Sequence, residues 1–169
     1  MRYWLIIVCL LISSCQSVPP GVEPVTNFSL DRYLGRWYEI ARLDHSFERG
    51  LEAVSAEYIL REAGGITVLN SGRNIESGDM QQAEGRAYFV QDPSVGHLKV
   101  SFFGPFYGSY IIFELDQEDY QYAFIAGNTT DYLWLLARKP TVQESVFSRF
   151  KDKSSALGFD TDRLILVEH

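Results

Sequence analysis

The chain of 169 residues is poor in the residues from which disulfides, thiol sites and metal sites are built. It has two cysteines, Cys9 and Cys15, and a disulfide between them would leave everything after residue 15 without a crosslink. That larger part has no thiol nucleophile either. Three histidines leave little material for a metal site, and Glu39, a candidate buried carboxylate, has no evident partner. We therefore expect no cofactor, no metal and no enzymatic activity.

Positive charge and long apolar runs are also scarce. The formal net charge is −7, which argues against a nucleic-acid partner because such a partner requires a basic face. It argues equally against binding an anionic membrane by charge alone. The apolar run 3–12 has ten residues, whereas a membrane-spanning helix needs about 20.

The first 15 residues have the layout of a secretory signal peptide. Arg2 precedes the apolar run, and small residues follow it. The sequence of residues 12–15, Ile-Ser-Ser-Cys, resembles the lipobox of bacterial lipoproteins, which implies a diacylglyceryl group on Cys15, cleavage before it and acylation of the new amine. Gln16 in place of aspartate implies sorting to the outer membrane. The alternative is an ordinary secreted protein with an incidental cysteine.

Three segments follow from this layout. Residues 1–14 are predicted to be a lipoprotein signal peptide, and residues 15–27 a lipidated N-terminus and flexible tether without a core face. That tether carries three prolines and a glycine, which favour an extended chain. Residues 28–169 are predicted to form one domain.

Short apolar-rich runs broken by turn signals every 8–16 residues predict β-strands from residue 37 onward. Eight are expected, at 37–43, 54–61, 66–73, 84–90, 97–103, 107–115, 120–126 and 132–138. Helical spacing then predicts a helix over 142–157, with a capping box from Thr141 to Glu144 and Gly158 after its end. Residues 163–167 are a last short strand. The fold class is all-β, an eight-stranded antiparallel up-and-down barrel with one C-terminal helix.

Two features of this pattern resemble a known family. The sequence Gly35-Arg36-Trp37 at the start of the first strand resembles the Gly-x-Trp motif of the lipocalins, and Arg138 ends the eighth strand, where that family has an arginine. Residues 28–168 are similar to the bacterial outer-membrane lipocalins. An indole can plug the narrow end of a barrel with a guanidinium stacked on it. We therefore expect Gly35, Trp37 and Arg138 to close one end.

Side-chain alternation predicts which residues face the barrel interior. If Trp37 points inward, so do Glu39 and Ala41, and the remaining inward positions are Val54, Ala56, Tyr58, Ala87, Phe89, Val100, Phe102, Tyr107, Ser109, Ile111, Tyr132, Trp134 and Leu136. Both faces of strand 120–126 are apolar, so its inward face stays open. The longest link at the open end, 44–53, is expected to be a partial lid. The candidate ligand contacts are Tyr107, Trp134, Tyr58, Phe89, Phe102 and Phe47.

The family resemblance implies a function for this interior. The ligand would be a fatty acid or lysophospholipid, bound for storage or transport, and the resemblance leaves a homodimer open. Tyr107 and Trp134 are the leading candidates because each combines an apolar ring with a polar tip near the open end. The alternative is a structural envelope lipoprotein whose barrel is filled by its own side chains.

Overall fold

The computed structural model describes residues 17–169, so the predicted signal peptide and Cys15 lie outside the described residues. Each of eight antiparallel strands pairs with the next, and the eighth pairs with the first. The strands are β1 (Gly35–Arg42), β2 (Leu51–Leu60), β3 (Ile66–Asn74), β4 (Met80–Phe89), β5 (His97–Ser101), β6 (Gly108–Leu115), β7 (Tyr122–Ala126) and β8 (Leu133–Ala137). The predicted closed barrel is confirmed.

Two helices and a short strand complete the domain. The helix α1 (Leu30–Tyr33) precedes β1, and α2 (Glu144–Ala156) follows β8. After a 3-10 turn at Thr161–Arg163, β9 (Ile165–Leu166) pairs with the end of β1. Within residues 17–169, no helix combines the length and apolar character needed to cross a membrane.

Three strands begin earlier than the apolar pattern predicts, and β1 does so by two residues. β2 begins at Leu51 and β4 at Met80, because these strands continue pairing with β3 to the open end of the barrel. The first five residues of β4 are exposed. Since neither face of that stretch is buried, the sequence has no apolar alternation there for a pattern to detect.

The core has two parts, one on each side of the barrel wall. The inner part includes Trp37, Tyr58 and Ile125. The outer part lies between the wall and α2, where the buried ring of Phe150 contacts that of Phe124 at a centroid distance of 5.1 Å. The apolar stripe that predicts the helix is therefore the face that covers the barrel.

Residues 17–27 pack on the barrel, and the interpretation of this segment as a flexible tether without a core face is wrong for its second half. Val22 is buried in the outer core. The Val25 backbone N–H donates to the Ile112 carbonyl at 2.8 Å, and the Gly96 N–H donates to the Val25 carbonyl at 2.8 Å. Residues 19–22 form a turn in which the Val22 N–H donates to the Pro19 carbonyl at 3.1 Å.

Candidate functional site

One end of the barrel is closed by Trp37 and Arg138. The Trp37 side chain is fully buried, and the guanidinium carbon of Arg138 lies 4.0 Å from the centroid of its ring. The two terminal nitrogens of Arg138 donate to the carbonyls of Arg36 and Arg32 at 2.9 and 2.7 Å. The indole N–H of Trp37 donates to the Tyr33 carbonyl at 2.8 Å. These bonds attach α1 and β8 to the start of β1 and form a floor.

Above this floor, the barrel encloses a cavity of about 620 Å³ that opens at the other end. Five of the six predicted ligand contacts line it: Tyr58, Phe102, Tyr107, Trp134 and Phe47. Phe89 does not line the cavity, because it is the last residue of β4 and packs against Phe28 at the floor, with ring centroids 6.0 Å apart. Its predicted role as a ligand contact has no support from its position.

Alternation fails in β1 at a β-bulge between Glu39 and Ala41. Glu39 faces the cavity as predicted, whereas Ala41 packs in the outer core. The extra residue reverses the alternation, so that Arg42 joins Glu39 on the inner side of the wall. The prediction that Ala41 faces inward is therefore wrong.

The inner face of β6 was also predicted wrongly at one position. Ile111 belongs to the outer core, whereas Tyr110 and Ile112 point to the inner side. Both faces of this strand are apolar, so the sequence pattern does not choose between them. For β7 the structure resolves the open question, because Ala123 and Ile125 belong to the inner core.

Tyr110 belongs to a chain of three hydroxyls that the sequence did not reveal. Its hydroxyl lies 2.6 Å from that of Tyr33 and 2.7 Å from that of Tyr58, and all three side chains line the cavity. Burial raises the pKa of each hydroxyl, so the three stay neutral. They place hydrogen-bonding groups on an otherwise apolar part of the wall.

A second polar group lies near the open end, where the β1–β2 loop (residues 43–50) folds over the cavity. Arg42 donates to Glu39 Oε1 at 2.7 Å and to the Glu48 carbonyl at 3.0 Å. The Glu48 carboxylate accepts from the indole of Trp134 at 3.1 Å and lies 2.9 Å from His45 Nε2. The expectation that Glu39 lacks a partner is wrong, because the bulge turns Arg42 toward it. The spacing of three residues hid this pair, since it places two side chains on opposite faces of a regular strand.

The pKa values of the two carboxyls in this group shift in opposite directions. Burial, and next the charge of Glu48, raise the pKa of Glu39 well above its usual range despite the nearby Arg42. Burial acts to raise the pKa of Glu48 too, but His45 and the Trp134 indole together outweigh it and lower that pKa. Glu48 is therefore the more acidic of the two carboxyls. Among the described residues, His45 Nδ1 has no hydrogen-bond partner, and His45 lines the cavity.

Residues 17–169 contain no group of three or more acidic, histidine or cysteine side chains arranged to hold a metal ion. His45 lies in the β1–β2 loop and His97 begins β5 at the floor end, so the two imidazoles are at opposite ends of the barrel. The Trp134 indole, predicted to meet a ligand head group with its polar tip, instead donates to Glu48.

The fold and its cavity agree with the comparisons to known proteins. The family model described as a lipocalin-like domain matches residues 28–169. The chain belongs to the lipocalin family. It is 56% identical to "Outer membrane lipoprotein Blc" of Vibrio cholerae, with 99% of each chain covered. The Escherichia coli K12 protein of that name is 49% identical, with 94% of this chain and 90% of that protein covered.

More distant lipocalins share the same domain. Mouse apolipoprotein D is 34% identical over 93% of this chain and 83% of its own. The crystal structure of insecticyanin from the tobacco hornworm superposes with a TM-score of 0.72 at 21% identity, covering 90% of this chain and 87% of that one. At that identity the likeness concerns the fold alone. The resemblance inferred from Gly35, Trp37 and Arg138 is therefore confirmed at the level of the family.

Proposed function

We propose that this lipocalin is anchored in the bacterial outer membrane by acyl chains on Cys15 and binds a fatty acid or lysophospholipid for storage or transport. The observation that carries the proposal is the cavity of about 620 Å³, which has a sealed floor and an open mouth. Its size falls in the range of about 300–1,000 Å³ that is usual for small-molecule sites. The relatives named as outer membrane lipoproteins support the proposed location.

The distribution of polar atoms in the cavity suits a lipid with one polar end. The aliphatic and aromatic lining would take the acyl chain, whose burial supplies about 0.8 kcal/mol per methylene. Near the mouth, His45 and Glu48 supply the polar part of the lining beside which a carboxyl or phosphate head group would lie, while Glu48 stays paired with Trp134. Affinity then rests mainly on apolar burial, and the head group remains close to solvent.

Binding can be measured by titrating the mature protein with palmitate or a lysophospholipid while recording tryptophan fluorescence. We expect saturable quenching in the wild-type protein and its loss in Trp134→Phe, because Trp37 is part of the floor and is not among the residues that line the cavity. Ala56→Phe, whose ring takes up part of the cavity, should weaken palmitate binding measured by calorimetry. Ala63→Phe, in the exposed β2–β3 turn, is the matched control. If neither lipid binds and no lipid co-purifies, the structural-lipoprotein alternative is correct.

The anchor requires a separate experiment. We expect the wild-type protein to fractionate with outer membranes and its N-terminal peptide to carry diacylglyceryl and N-acyl groups by mass spectrometry. Cys15→Ser should abolish both the acyl groups and the fractionation with outer membranes, since a stable anchor takes at least two acyl chains. Membrane association that is unchanged in Cys15→Ser would contradict the proposed anchor without affecting the binding proposal.

A further inference from the structure

The structure brings the N-terminal segment to the open end of the barrel, next to the cavity. The Ser17 hydroxyl donates to the Asn128 carbonyl at 3.1 Å, in the β7–β8 loop. The Ser109 hydroxyl donates to the Ser17 carbonyl at 3.0 Å. Both Asn128 and Ser109 line the cavity. Ser17 is therefore held beside the mouth of the barrel by hydrogen bonds to these two residues.

This placement fixes where an anchor on Cys15 would begin. Cys15 is two residues before Ser17, and two residues of chain span at most about 7 Å in any conformation. Acyl chains on Cys15 would thus leave the protein beside the mouth and could not begin near the floor. The barrel's floor end would then face away from the membrane.

The same end carries the exposed aromatic side chains. Phe106 is 80% exposed, Phe103 69%, Phe47 66% and Tyr107 40%. Within residues 17–169, the exposed phenylalanine, tyrosine and tryptophan side chains are these four. They belong to the β1–β2 loop and the β5–β6 link, and exposed Ile75 and Met80 lie at the β3–β4 turn. These six residues form what we call the mouth rim.

From these two observations we propose that the mouth rim docks on the bilayer that holds the Cys15 acyl chains, so that the cavity opens directly onto the lipid. The proposal rests on the proposed anchor and lipid ligand. Aromatic and aliphatic side chains settle at the boundary between head groups and acyl chains. A net charge of −7 gives no electrostatic attraction to an anionic surface, so the contact is apolar.

Docking in this orientation also gives a route for the ligand. Phe47, Phe103, Phe106 and Tyr107 all line the cavity as well as the mouth rim. The apolar surface is therefore continuous from the bilayer side into the barrel. A lipid that leaves the membrane along this path keeps its acyl chain out of water, which removes most of the barrier to its transfer.

The orientation can be tested with single spin labels on the full, acylated protein in vesicles of phosphatidylethanolamine and phosphatidylglycerol. Residues 16–169 contain no cysteine, so Phe106→Cys and Leu60→Cys each offer one site. Leu60 is the matched control, because it is 56% exposed and ends β2 at the floor end. We expect the label at position 106 to become accessible to oxygen and protected from a water-soluble nickel complex, and the label at position 60 to stay in water.

A second measurement separates docking from ligand affinity. The paired change of Ile75 and Met80 to serine, at two mouth-rim positions outside the cavity lining, should slow the loading of a fluorescent fatty acid from vesicles about tenfold, the effect of losing roughly 1.4 kcal/mol of favourable contact. The affinity of this double variant for the same fatty acid, delivered without vesicles, should equal that of the wild type. Equal loading rates would overturn the proposal.

Three other outcomes are informative. If mass spectrometry shows no acylation, the proposed anchor fails and this orientation fails with it. If the protein is acylated but the label at position 106 stays in water, only the docking proposal is overturned. Protection of position 106 that persists without vesicles, with dipolar broadening between labels, would show that a second copy of the chain covers the mouth and would also overturn it.

Discussion

At the scale of single residues, Trp37 is the side chain whose removal should damage the protein most. It is fully buried, donates to the Tyr33 carbonyl and has the Arg138 guanidinium on its ring. Trp37→Ala removes the floor and should lower the free energy of unfolding by about 3–5 kcal/mol. Urea denaturation followed by circular dichroism measures this loss. Phe106→Ala, at an exposed ring, is the control and should change stability by less than about 0.5 kcal/mol; similar values for both variants would contradict the floor assignment.

Glu39 should make the stability of the folded protein depend on pH. Burial and then Glu48 raise its pKa above the ordinary value of 4.5. The folded protein therefore holds this proton more tightly than the unfolded chain. The contribution of Glu39 to the free energy of unfolding is complete below the unfolded pKa and is lost as the pH rises toward the folded pKa. Glu39→Gln keeps a neutral acceptor for Arg42 and has no proton to lose. At pH values above that ordinary pKa, the free energy of unfolding of Glu39→Gln should increase relative to that of the wild type by up to about 1.4 kcal/mol per pH unit.

Urea unfolding in half-unit pH steps from mildly acidic to mildly basic conditions measures this difference. Glu57→Gln is the matched control, because Glu57 is partly exposed and lies 3.7 Å from Arg36 in a surface pair. Its stability curve should run parallel to that of the wild type. A Glu39→Gln curve that is also parallel would show that Glu39 is ionised in the folded protein.

Residue-scale prediction from the sequence succeeded where a regular strand carries the side chain and failed where one residue interrupts it. Trp134 and Leu136 follow strict alternation in β8 and line the cavity as expected. Past the bulge in β1, Ala41 and Arg42 exchange sides. A bulge adds one residue without a change in composition, so no count of apolar positions could have detected it.

At the scale of elements, the end of α2 offers a test of backbone conformation separate from packing. Gly158 follows the helix with φ of +87°, and a Cβ at this position would meet no atom within 4 Å. Gly158→Ala should therefore cost about 1–2 kcal/mol through the left-handed backbone alone. Gly108→Ala, where a Cβ also meets nothing within 4 Å and φ is not positive, is the control. Thermal unfolding that is equally affected in both variants would refute this explanation.

The two ends of α2 show which helix boundary could be predicted from the sequence and which could not. Gly158 was predicted correctly, because few residues other than glycine adopt a left-handed backbone. The capping box from Thr141 to Glu144 was predicted wrongly. Glu144 is the first helical residue, Gln143 is extended with ψ of 146°, and no side chain caps the helix. Val142 packs against the outer core ahead of the helix, and this tertiary contact overrides the local motif.

At the scale of the whole molecule, the family and the barrel were predictable because they depend on many weak signals that agree. Eight spaced strands, the Gly-x-Trp motif and Arg138 all indicate the same architecture. The position of Ser17 at the mouth was not predictable, because it depends on how residues 17–27 lie across the finished barrel. Contacts between a chain terminus and distant loops leave no periodic trace in the sequence.

The shape of the cavity predicts how affinity should depend on ligand length. If the acyl chain occupies the apolar interior between the mouth and the tyrosine hydroxyls, each added methylene contributes about 0.8 kcal/mol until the interior is full. Each added pair of methylenes should then strengthen binding about tenfold. Competition against a fluorescent fatty acid, using octanoate, decanoate, laurate and palmitate below their micelle concentrations, measures the slope. In Ala56→Phe the gain should stop at a shorter chain, because the added ring takes up part of the cavity that Ala56 lines. Equal affinity for octanoate and palmitate would mean that the polar groups at the mouth carry the binding and that the interior of the barrel is not the site of the acyl chain.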